Sequence, residues 1–183
     1  MLRKLVLLAC VAVFVAGCGY KTAVTTIAET EGVYVDVAGL TYQIQLSRYL
    51  NPGDVEDKQY LQGLPPGVSP NLPGDEIWFG VWMRVKNYSD VPLMPTDTFV
   101  ITDTEGNKYE PVPLDSATNV FVYDPILLQH AQVLPTPDSA ASSGPIQGSL
   151  ILFRLKTTSL QNRPLKLSIE HEGAESAEVD LDL

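Results

Sequence analysis

The sequence predicts an all-β sandwich of about seven to nine short antiparallel strands, and three observations predict it. Apolar and polar residues alternate at period two in segment after segment. Gly, Pro, Asn and Asp recur between those segments as turn formers. No stretch beyond the N-terminus sustains a helical period. At 45% hydrophobic and 19% charged, the composition is that of a globular chain with apolar side chains enough for a core.

The first element stands apart from the sandwich. Arg3 and Lys4 precede an apolar run over residues 5–14, and the segment closes on Val15-Ala16-Gly17-Cys18. A basic start, a short apolar stretch and small residues at the end form an export signal. The run is too short for a hydrocarbon core that needs about 20 residues. The last four residues resemble a bacterial lipobox, in which the Cys is acylated and the chain is cut just before it. The resemblance implies a signal peptide over 1–17, lipidation at Cys18 and a partner in the membrane itself. It places the protein on the extracytoplasmic face of the cell membrane or envelope. Two or more acyl chains hold a protein stably.

Cysteine usage fits. Cys10 leaves with the signal and Cys18 becomes a thioether, so the mature domain has no disulfide and relies on its core. The 166 residues from Cys18 onward suit one domain. Removing Arg3 and Lys4 leaves 10 basic against 22 acidic side chains, a net of −12. Such a surface should repel nucleic acid and anionic lipid headgroups.

Residues 18–32 read as the lipidated Cys and a polar tether, and residues 33–183 as the domain. Val33 to Val37 is the first strand. In the second, Leu40, Tyr42, Ile44 and Leu46 share one face, opposite Thr41, Gln43, Gln45 and Ser47. Residues 50–74 are a long loop containing Pro52, Pro65, Pro66, Pro70 and Pro73, with a short helical turn over 55–61. The strongest strand spans 77–86: Ile77, Phe79, Val81, Met83 and Val85 alternate with Trp78, Gly80, Trp82, Arg84 and Lys86. Strands at 99–102 and 108–110 flank Asp103-Thr104-Glu105-Gly106-Asn107, a hairpin loop. Pro125 suits the first turn of a short helix over 125–132. Strands at 148–156, 165–169 and 179–183 complete the set.

A family resemblance rests on these segments. After Asn87 come Phe99-x-Ile101-x-Asp103-x-x-Gly106-x-x-Tyr109 and Pro145-x-x-Gly148-x-Leu150-x-x-Phe153. This order is similar to that of the uncharacterised Ig-like domains on bacterial exported lipoproteins. The resemblance covers residues 77–169 and implies an Ig-like β-sandwich. It carries over no catalytic residue.

The chemistry of the chain points away from catalysis. His130 and His171 are the only histidines, and no Gly-x-Ser-x-Gly elbow is present. No cofactor is expected, and no transition-metal set can be assembled from these residues. Asp103, Glu105 and Asn107, with Asp54, Glu56 and Asp57, leave a calcium-binding or small-ligand role as the alternative, although the spacing of an EF-hand is lacking. The candidate partner-binding residues are Trp78, Trp82, Arg84 and Tyr60. If Phe79 and its neighbours face the core, both indoles point the other way. They then either form an adhesive face for another envelope protein or wall polymer, or lie beneath the 50–74 loop.

Overall fold

The computed structural model describes residues 24–182. The expected signal peptide and Cys18 lie outside the described residues. In chain order the strands are β1 (Ile27–Ala28), β2 (Tyr34–Val37), β3 (Leu40–Leu50), β4 (Glu76–Asn87), β5 (Thr98–Thr102), β6 (Lys108–Tyr109), β7 (Val133–Leu134), β8 (Ser149–Lys156), β9 (Leu165–Glu170) and β10 (Ala177–Leu181). Two single-turn helices, α1 (Asp57–Tyr60) and α2 (Ala140–Ser143), lie in loops.

One sheet has the order β1-β10-β9-β5-β6. The other runs β2-β3-β4, and the far edge of β4 is shared by β7 and β8. The chain changes sheets between β4 and β5. Later β8 returns beside β4, and β9 lies beside β5, a Greek-key crossing. The fold is a β-sandwich, as the alternation predicted. One pairing departs from the expected antiparallel set: β1 runs parallel to β10.

The two facing sides make the main core. Val35, Tyr42, Phe79, Val81, Met83, Ile101, Phe153, Leu167 and Val179 belong to it, all fully buried. Ala38 and Gly39 join β2 to β3 in a two-residue turn with φ of 51° and 82°. Positive φ at both positions matches the twist of the paired strands.

The structure corrects three expectations. The tether does not extend to residue 32. From Thr25 the chain is stitched to the domain, with Thr25 N donating to Asp36 Oδ2 at 3.0 Å and Asp36 N donating to Thr25 O at 2.7 Å. The segment 125–132 is no helix, because Leu128 is buried in an antiparallel bridge to Leu93. Leu46 does not share a face with Ile44. Ile44 lies opposite Met83 and Leu46 opposite Trp82, so a bulge at Gln45 turns the rest of β3 over.

Candidate functional site

The outer face of β4 decides the first question. Trp78 is 1% exposed, Trp82 0% and Tyr60 3%. They form a second core with Leu50, Leu61, Leu150 and Leu152, roofed by the 50–74 loop and by residues around Val112, Leu114 and Phe121. The molecule thus has three layers: two sheets and a loop layer. The two indoles are not an exposed patch, because the loop buries more apolar area than an open face would.

The roof is held by specific contacts. Trp78 Nε1 donates to Pro70 O at 2.7 Å. The Tyr60 ring meets Trp82 edge-on at 5.1 Å and Phe121 at 5.0 Å. Buried Asn119 donates through Nδ2 to Tyr60 O at 3.1 Å and Gln62 O at 3.0 Å, and its Oδ1 accepts from Phe121 N. Gly80 has no Cβ because Trp82 lies over it. A Cβ there would be 2.8 Å from Trp82 Cη2 and 3.0 Å from Leu150 Cδ1.

A cation does sit over Trp82, but it is Arg48 and not Arg84. The Arg48 guanidinium carbon is 5.5 Å from the ring centroid. It donates to both oxygens of Asp57 on α1, through Nη1 at 3.1 Å and through Nη2, and Asn51 N donates to the same carboxylate at 2.8 Å. Burial pushes the Asp57 carboxyl up, but the Arg48 and Asn51 hydrogen bonds outweigh it and hold it below the usual range. The Asp57 hydrogen bond likewise raises Arg48 against the opposing effect of burial. Of the four candidate residues, the fold gathers Trp78, Trp82 and Tyr60, while Arg84 stays exposed at the margin. Arg48 was hidden from sequence reasoning because its facing depends on the bulge.

The acidic hairpin loop is also committed to structure. Asp103 is 4% exposed and accepts from Glu105 N, Asn107 N, Asn107 Nδ2, Ser159 Oγ and Asn162 Nδ2 at 2.9–3.2 Å. Burial would raise its carboxyl, but those bonds, the ones from Asn107 foremost, hold it at about 2. Its lone pairs are spent on protein donors. Asp54 similarly caps its own turn, accepting from Glu56 N at 2.8 Å. Among the described residues, no group of three or more His, Cys, Asp or Glu side chains is placed to hold a metal. His130 Nδ1 lies 2.9 Å from Ser89 O, and His171 Nδ1 lies 2.9 Å from Glu172 O, both near the surface. No helix among the described residues is long and apolar enough to cross a membrane.

One concave surface was not legible in the sequence. After β6 the chain crosses to the outer edge of β8, where Pro111 bridges to Phe153 and Val112 N donates to Leu152 O. It returns to the same edge at Val122, which bridges to Leu150. Between these two crossings lies a cleft of about 190 Å³, lined by Phe99, Pro111, Pro113, Leu114, Val122 and Tyr123 among others, with Asp97 also in its wall.

No protein-family model matches the chain, and no curated protein matches it. Among solved structures, the chain is similar to the yjhA protein from Bacillus subtilis, with 9% identity and a TM-score of 0.56 over 84% of this chain and 99% of that one. An uncharacterized β-sandwich protein from Clostridium difficile 630 matches at 13% identity and TM-score 0.46, over 90% and 99%. A functionally unknown protein from Listeria monocytogenes EGD-e matches at 11% and 0.49, over 85% and 84%. At such identity the likeness to the yjhA protein shows the fold alone.

Proposed function

We propose that the chain is a lipid-anchored, extracytoplasmic and non-catalytic binding module of a bacterial cell envelope, engaging another envelope protein or a wall polymer. The observation that carries this reading is Val15-Ala16-Gly17-Cys18 at the end of a short basic and apolar segment. The resemblance to Ig-like domains of exported lipoproteins supports it.

The contact surface is the cleft at the β8 edge rather than the tryptophan face. At about 190 Å³ it is smaller than the roughly 300–1,000 Å³ of a small-molecule site. It has the size and lining to take an apolar side chain from a partner, the way hot-spot residues seat in pockets. A calcium-binding reading would need carboxylates with lone pairs to spare, and Asp103 has none.

In-cell crosslinking of the full-length protein, followed by mass spectrometry, tests both halves. Cys18→Ser should move the protein out of the membrane fraction. Pro113→Arg, at the exposed rim of the cleft, should abolish a discrete crosslinked partner while the protein stays folded. Membrane retention of the Cys18→Ser protein would sink the anchor. A partner indifferent to Pro113→Arg would sink the cleft.

A further inference from the structure

Resting on the anchored reading above, the geometry points to a second membrane contact: we propose that one end of the sandwich lies against the bilayer that holds Cys18. The contact is made by the exposed side chains of Tyr88, Val91, Met94, Ile126 and Leu127.

Among the described residues, twelve large apolar side chains are exposed, and five of them fall in just two segments, 88–94 and 126–127, each between 42% and 58% exposed. The segments are joined. Leu93 and Leu128 exchange both backbone hydrogen bonds, N to O, at 3.0 and 2.9 Å. Their side chains turn inward, Leu128 being fully buried. By alternation, the flanking Met94 and Leu127 turn outward together. Asn87 clamps the base, donating through Nδ2 to Val91 O and Leu128 O at 2.8 Å each. The patch is therefore carried on a braced element.

The point where the chain enters the domain selects what covers the patch. Asp36 pairs with Thr41, Thr41 with Lys86 and Lys86 with Val133, forming one row across the sheet. Thr25 extends that row through its two bonds to Asp36. At about 4.8 Å per strand step, Thr25 and Lys86 stand roughly 15 Å apart on the same end of the sandwich. Tyr88 lies two residues beyond Lys86. Val24, itself exposed, enters here. Residues 19–24 join this end to Cys18, and six residues reach at most about 20 Å. An acyl chain on Cys18 holds this end, and not the Asp103 end, at the bilayer surface.

The chemistry suits an interface. Lys86 Nζ lies 4.3 Å over the Tyr88 ring, so an aromatic body and a snorkelling cation stand side by side at headgroup depth. Apolar burial there adds to the hold of the acyl chains and fixes which way the domain faces.

The test uses the full-length acylated protein reconstituted into vesicles of equal parts phosphatidylethanolamine and phosphatidylglycerol. Cys18 is blocked by its lipid, so Leu127→Cys, or Glu105→Cys in the far hairpin loop as control, takes a polarity-sensitive fluorophore at one place. A blue-shifted Leu127 probe quenched by brominated lipid, beside an unquenched Glu105 probe, is the expected result. A Leu127 probe in water, on protein whose mass shows acylated Cys18, overturns the proposal and leaves the anchor standing. Protection that rises with protein density without lipid quenching assigns the patch to a second copy or another protein, and also overturns it. An unacylated Cys18 removes the anchor reading and this one with it.

Discussion

Replacing Trp78 with Ala tests whether the loop layer is a true third layer. The side chain is 1% exposed and its Nε1 donates to Pro70 O at 2.7 Å. Truncation removes roughly 150 Å² of the 150–250 Å² that a buried aromatic covers. At about 25 cal/mol per Å², that is close to 4 kcal/mol. The lost hydrogen bond adds about 1 kcal/mol, and partial collapse of the loop recovers some of the total. The expected cost is about 4 kcal/mol, read by urea unfolding followed with circular dichroism. With a slope near 2 kcal/mol per M, the midpoint falls by about 2 M. Trp78→Phe keeps most of the area and leaves Pro70 O unpaired, so about 1–2 kcal/mol is expected. A cost below about 1 kcal/mol for Trp78→Ala would refute the claim that the loop packs on this face.

Two further outcomes follow from the same structure. Gly80→Ala drives a Cβ to 2.8 Å from Trp82 Cη2 and 3.0 Å from Leu150 Cδ1. It should cost about 1–3 kcal/mol by overpacking and red-shift the tryptophan emission, and an unchanged protein would show the indole free to move. The Asp103 carboxyl, held at about 2 from an ordinary 3.8, contributes stability that is fully present above pH 4. That contribution is lost as pH falls from about 4 through 2, because the unfolded state takes the proton first. Asp103→Asn should flatten this part of the acid-unfolding curve, and an unaltered curve would place the acid sensitivity elsewhere.

The strands were legible wherever alternation was uninterrupted. The stretch 77–86 read correctly because one face, from Ile77 to Val85, is apolar throughout and packs on the opposite sheet, while on the other Trp78 and Trp82 lie under the loop and Arg84 stays exposed. The bulge at Gln45 was not legible, since a lone extra residue leaves no mark in the hydrophobic pattern. That one residue turns Arg48 onto Trp82, whereas the sequence pattern offers only Arg84, two residues along the strand, as the cation nearest the indole. β1 was missed because two residues carry no period, and its pairing comes only from the fold that β10 offers. Residues 125–132 misled through Pro125. A proline start is compatible with a helix but does not demand one, and the bridge to Leu93 won. Whether the indoles were open or roofed turned on a loop whose apolar residues, Tyr60, Leu61, Leu64, Val68 and Leu72 among them, are spread among prolines and charges.

The excursion between β6 and β8 has a consequence for how this protein would fail. It touches β8 twice, at Pro111 and Val122, and between those points Asn119 ties down the loop over the tryptophans. A single segment thus blocks a free strand edge and clasps a roof. With the chain nicked between Leu114 and Asn119, the two holds would rest on separate chain ends, and their release would bare an unpaired ladder beside the two indoles. Damage there would lead copies to add to one another strand by strand, with most of the sandwich still intact.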